Sequence, residues 1–217
     1  MLIANVALAL APSLLLLWWA YRRESGDPQS LRLLTMAFLL GLLAVIPALA
    51  VGMLASLAHR LLSGSLRLLY QAFVTAAAVE EGVKFALVWF LVRRNPRIDG
   101  VADGIVYGMA ASLGFAFLES VLYVGESSFI LLLRGVTAVP LHAGCGALMG
   151  YFVARSRSRT NRRAWVGLLL AILVHGTYDS FVFAGGSVAF LSLAVVAALV
   201  AAVPLLLLHA GSPAGRP

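Results

Sequence analysis

The sequence predicts an all-α integral membrane protein, a bundle of about seven transmembrane helices around a buried polar site. Composition is the first sign: of 217 residues, 62% are hydrophobic and only 12% charged, with a mean hydropathy of +0.97. Soluble domains are roughly 45–50% apolar and about 25% charged. The second sign is repetition, because apolar runs of spanning length recur and are separated only by short polar gaps. The third is the placement of Glu80, Glu81, Glu119, His142, His175 and Asp179 inside those runs. Carboxylates at bilayer depth cost a few kcal/mol or more on insertion scales, so this many point to chemistry within the membrane.

The expected spans are Leu2–Ala20, Leu31–Leu57, Leu68–Val92, Val101–Val124, Phe129–Ala154, Ala164–Ala184 and Val188–His209. Each holds about 20 mostly apolar residues, the length a bilayer requires. The first has no basic residues before it and no small-residue cleavage site at Tyr21-Arg22-Arg23, so it reads as a retained span. The second is long and carries Pro47, which predicts a kink or tilt. The Gly/Pro-rich tail after Ala210 is expected to be disordered. The whole chain, residues 1–217, reads as a single transmembrane domain.

The net charge of +7 comes mainly from arginines in the short loops between spans, which is a topological signal and not a nucleic-acid surface. Arg22, Arg23, Arg32, Arg93, Arg94, Arg97, Arg155, Arg157, Arg159, Arg162, Arg163 and Arg216 fall on one side of the bundle. Of the 16 Lys and Arg residues, only Arg60 and Arg67 fall on the other, while Lys84 and Arg134 lie inside spans. This asymmetry places the N-terminus outside the cell and the C-terminus in the cytoplasm. The single cysteine, Cys145, excludes an internal disulfide and a Cys-based zinc site, and reads as a packing residue.

Glu80-Glu81-Gly82-Val83-Lys84 is the centre of the site. On a helix Lys84 neighbours Glu80 at i,i+4 and Glu81 at i,i+3, so one carboxylate is neutralised and the other is free to act as a general base or a ligand. The i,i+4 spacing assigns Glu80 to the lysine and frees Glu81. The competing reading is a structural ion pair that locks two helices. His175 and Asp179 stand one turn apart on one face, suited to a divalent metal or to carboxylate orientation of the ring. His142 lies in Pro140-Leu-His-Ala-Gly-Cys-Gly, a small-residue surface that lets helices approach closely. Asp99 and Asp103 start the fourth span and read as helix caps. Glu119 is too deep for that, and Tyr107 and Tyr123 read as core or interfacial groups. At ~1.5 Å rise per residue, Glu81, His142 and His175 lie roughly 18 Å from the cytoplasmic arginines. Glu119 lies nearer the outer surface, and water is expected to reach the site from that side.

Taken in order, Glu-Glu-x-x-Lys at 80–84, Asp-Gly-Ile-Val-Tyr-Gly at 103–108, Phe115-x-x-x-Glu119 with Tyr123, His142 and His175-x-x-x-Asp179 resemble the PrsW family of intramembrane proteases. The resemblance covers about residues 75–183. That family is similar to the CAAX-processing and bacteriocin-immunity protease superfamily, whose pattern has Phe-x-x-x-His and His-x-x-x-Asn where this chain has Glu119 and Asp179. The resemblance implies a metalloprotease, and it favours the first glutamate, Glu80, as the active one. It also implies a single-span membrane substrate like an anti-sigma factor, cut on its extracytoplasmic side in stress signalling.

The expected mechanism has a divalent metal, Zn2+, held by some of Glu119, His142, His175 and Asp179, with Glu80 or Glu81 moving the proton and Lys84 holding the second carboxylate or offsetting oxyanion charge. A metal-free variant uses a glutamate to activate water and His175 to stabilise the oxyanion. A proton-coupled carrier is the rival class, since acids and histidines in spans also form proton relays; the chain lacks the inverted repeat that carriers use. A catalytically silent immunity or scaffold protein is the third.

Overall fold

The computed structural model describes residues 2–23, 28–98, 100–156 and 162–210. Asp99, Arg157, Arg159, Arg216 and the tail after Ala210 lie outside the described residues. The chain is a helical bundle with no strand among the described residues. Its elements are α1 (Leu2–Arg23), α2 (Pro28–His59), α3 (Gly64–Tyr70), a π-helical segment (Gln71–Ala78), α4 (Val79–Arg94), α5 (Val101–Leu122), α6 (Ser128–Val136), α7 (Ala138–Arg155), α8 (Arg162–Ala184), a 3₁₀ turn (Gly186–Phe190) and α9 (Leu191–Ala210).

Among the described residues, six helical segments are long and apolar enough to cross a membrane. They are Ile3–Arg22, Ser30–His59, Val101–Leu122, Ser128–Arg155, Arg162–Ala184 and Gly186–Ala210. The expected span at Leu68–Val92 is also helical, but it is not one uniform α-helix: α3, the π segment and α4 run on without a break from Gly64 to Arg94. The expected span at Phe129–Ala154 is interrupted as well, at Thr137. Pro140 explains that interruption. It has no N–H to give to the Val136 carbonyl, and its ring would clash there, so it is accommodated in the first turn of a new helix. Thr137 closes the joint, its hydroxyl lying 2.7 Å from Leu133 O and 2.8 Å from the Tyr178 hydroxyl.

α5 is the central post. It is 72% buried along its most apolar stretch, against 17% for α1, and packs on α7, α2 and α1. Glycines make the closest of these contacts possible. Gly104 and Gly108 of α5 face Gly146 and Gly150 of α7, and a Cβ on any of the four would strike the facing helix. Close approach of this kind gives packing in a membrane, where apolar burial alone offers little between helices. Gly150→Val is therefore expected to destabilise the fold by about 1–3 kcal/mol through overpacking. A lowered midpoint of thermal inactivation in detergent would show it.

The loops carry the expected caps and anchors. Gly100 N–H donates to Asp103 Oδ2 (2.9 Å), so Asp103 does cap the start of α5. Arg93 stacks over Trp89 and donates to Ser156, which places the C-terminal ends of α4 and α7 at one end of the bundle. Cys145 is buried, with its sulfur 3.8 Å from Ala171 O.

Candidate active site

Every residue that the sequence singled out for chemistry reaches one place. α4 opens with Glu80 and Glu81 in its first turn and Lys84 in its second; α5 contributes Glu119; α7 contributes His142 from its second turn; α8 contributes His175 and Asp179. Glu81, Lys84, His142, His175 and Asp179 are buried.

A tight ion pair forms the base of the site. Lys84 Nζ lies 2.5 Å from Glu81 Oε1 but 3.7 Å from Glu80 Oε2. The pairing thus runs opposite to the i,i+4 assignment: Glu81 is held and Glu80 is the freer carboxylate. The reason is that Glu81 faces inward with Lys84, with no exposure for either side chain, whereas Glu80 keeps 20% of its side chain accessible. The same Lys84 ammonium rests 4.5 Å over the Phe115 ring.

Both imidazoles hang from this pair by their Nδ1 atoms. Lys84 Nζ lies 2.8 Å from His142 Nδ1; an ammonium can only donate, so this Nδ1 accepts and Nε2 carries the proton. That Nε2 lies 2.8 Å from Glu119 Oε2 and donates to it. His175 is wired in the opposite sense. Its Nδ1 donates to Glu81 Oε1 at 2.7 Å, because a carboxylate only accepts. In a neutral ring, Nε2 then presents a lone pair to Asp179 Oδ2 at 3.3 Å. Two acceptors face each other across this gap, an arrangement that requires a proton or a cation between them.

The two rings meet edge to face, with centroids 5.1 Å apart and planes at 89°. Ligand atoms of Glu80, His142 and His175 all lie within 4.8 Å of one another. The His175 Nε2 lone pair, with Asp179 beside it and Glu80 in reach, suits a divalent ion that takes N and O ligands, such as Zn2+. His142 can join only by giving up its Nε2 proton, because Lys84 holds its Nδ1 lone pair. Glu119 and Asp179 are not in that compact group: Glu119 sits behind His142, and Asp179 behind His175.

One functional contact was not anticipated. Arg134, at the end of α6, reaches Glu119 Oε1 at 2.9 Å and covers the Tyr123 ring at 3.8 Å. Both Glu119 oxygens are therefore engaged, one by an arginine and one by an imidazole. The signal was present in the sequence as an arginine inside an apolar run, six residues ahead of the proline that breaks the span.

Beside the site, a cleft of about 310 Å³ runs between α2, the π segment and α5. Glu80 and Glu119 are the acids that line it. Glu80 Oε2 has no hydrogen-bond partner.

Apolar helices converging on buried carboxylates and imidazoles define a multi-pass membrane protein with a polar centre inside its bundle. Residues 29–208 match the PrsW family of intramembrane metalloproteases, and the chain belongs to that family. As a member it is an intramembrane protease. Similar relatives include the protein named Protease PrsW from Geobacillus kaustophilus, 31% identical over 80% of this chain and 77% of the relative. The Protease PrsW of Oceanobacillus iheyensis is 30% identical over 86% of each chain, and that of Clostridioides difficile is 30% identical over 79% of this chain and 76% of its own. No solved structure gives a significant match.

Proposed function

We propose that this protein is a metal-dependent intramembrane endopeptidase that hydrolyses a peptide bond in a membrane-anchored protein. The observation that carries this reading is the face-to-face pair of acceptors at His175 Nε2 and Asp179, beside His142 and Glu80. His175 would hold the metal through its Nε2, beside Asp179, and His142 would join it through its Nε2, beside Glu119, with release of the proton that this nitrogen carries in the structure. When bound, a Zn2+ ion supplies Lewis acidity for the scissile carbonyl and lowers the pKa of water.

The chain's own residues do the rest. Glu80 is the base: it lines the cleft with an oxygen that has no hydrogen-bond partner, whereas the Glu119 oxygens face Arg134 and His142. It takes the proton from the attacking water and returns it to the leaving amide nitrogen. Glu81 fixes the tautomer and direction of His175, as second carboxylates do for ligating imidazoles. Lys84 neutralises Glu81 and points His142 towards Glu119. Arg134 offsets the Glu119 charge.

His142→Ala and His175→Ala are each expected to lose most bound metal and all cleavage of a single-span substrate. Elemental analysis of protein purified in detergent checks the first loss, and full metal content in both variants would exclude ligation by these rings. The ligating imidazole must be neutral, so metal is also expected to leave as pH falls through the histidine range.

An anti-sigma-factor-like substrate, cut on its extracytoplasmic side in stress signalling, follows from the family resemblance. The arginine asymmetry supports an N-terminus outside and a C-terminus in the cytoplasm of a cell-membrane protein. In a Cys145→Ala background, a cysteine at position 158 is expected to resist an impermeant thiol reagent added outside whole cells. Its labelling would reverse the orientation.

A further inference from the structure

The cleft has a chemistry of its own. Its rim is apolar and turned outward: Leu49, Met53 and Leu122 are exposed on the surface that lipid would cover. Its floor holds two buried polar atoms with no hydrogen-bond partner, Thr75 Oγ1 and Glu80 Oε2. An orphaned hydroxyl in a membrane protein is costly unless something occupies the space beside it.

The π segment brings these two atoms together. At ~100° per residue, an unbroken α-helix would set residues 75 and 80 about 140° apart around the axis. The wider turn over Gln71–Ala78 closes that angle, so Thr75, Ala76 and Glu80 all line one cleft. Phe73, on the same segment, packs against Gly176 of α8 and ties the underwound turn to the helix that carries His175.

We infer that the cleft between α2 and the π segment seats an extended, unwound stretch of a single-span membrane substrate, with the Thr75 hydroxyl hydrogen-bonding its backbone next to the bond presented to Glu80. A helical substrate pairs its backbone N–H and C=O groups internally and would leave the Thr75 hydroxyl without a backbone partner. Only an unwound stretch brings a free backbone group to Thr75 and an accessible peptide bond to Glu80. Unwinding inside a bilayer exposes peptide N–H and C=O groups that need partners, and Thr75 Oγ1 offers one where the chain enters from lipid.

This inference rests on the peptidase reading, and docking can be tested apart from turnover. A photo-cross-linker is placed at Met53→Cys in a Cys145→Ala, Glu80→Gln background, with Leu169→Cys on exposed α8 as the control. Both proteins are reconstituted with a single-span substrate peptide. Cross-links from Met53 and not from Leu169 are expected, whether or not the wild type cleaves. Cross-links from Leu169, or from neither position while wild type cleaves the same peptide, would overturn the docking. In the active enzyme, Thr75→Val is expected to raise KM about tenfold, the worth of one hydrogen bond to substrate, with metal content unchanged. Thr75→Ser should restore it. A wild-type KM in Thr75→Val would overturn the hydroxyl contact.

Discussion

Glu80→Gln is expected to reduce cleavage of a single-span substrate by about 10²- to 10⁴-fold, the range that a positioned general base contributes. The protein should remain folded and keep its metal. Glutamine has the shape of glutamate without its basicity, and Glu80 makes only the longer, 3.7 Å contact to Lys84, so little structure depends on its charge. Single-turnover kinetics with metal analysis on the same sample check both halves. Loss of metal from Glu80→Gln would make Glu80 a ligand, as its place within 4.8 Å of both imidazole nitrogens permits. Near wild-type turnover would remove it from the mechanism.

Glu81→Gln should fail in a different way. Glu81 and Lys84 are fully buried and 2.5 Å apart, so removing one partner strands the other's charge away from water. The expected cost is about 3–5 kcal/mol of stability, read as reduced folded protein in detergent and a lower inactivation midpoint. Lys84→Met should cost a similar amount, because it strands Glu81. The double change Glu81→Met with Lys84→Met leaves no orphaned charge and should be more stable than either single variant, though inactive. Its inactivity follows from geometry: His175 loses its Nδ1 acceptor and His142 its Nδ1 donor. Additive destabilisation in the double variant would show that the pair is not coupled.

The contrast between the glutamates marks the limit of the sequence reading. Spans were legible because bilayer thickness imposes a length and apolar composition reports burial. Convergence of the site was legible too, because polar groups on separate helices lay at similar depths and have no reason to do so otherwise. Which glutamate meets Lys84 was not, since i,i+3 and i,i+4 neighbours are nearly equivalent on an isolated helix and only packing against α7 and α8 breaks the tie. The π segment has no residue signature in Gln71–Ala78 and appears once the chain must hold Phe73 against α8 and Thr75 towards α2. The break at Thr137 had a visible cause in Pro140. Its consequence, delivering Arg134 to Glu119, depends on how α6 is seated against α1 and α7.

The most direct test of a metal-dependent peptidase is cleavage of a single-span substrate in proteoliposomes after exhaustive chelation and then stepwise return of Zn2+. Activity should vanish with the metal and recover in proportion to the Zn2+ bound, reaching a plateau at a stoichiometric load. Undiminished cleavage by protein shown to be free of metal would contradict the account.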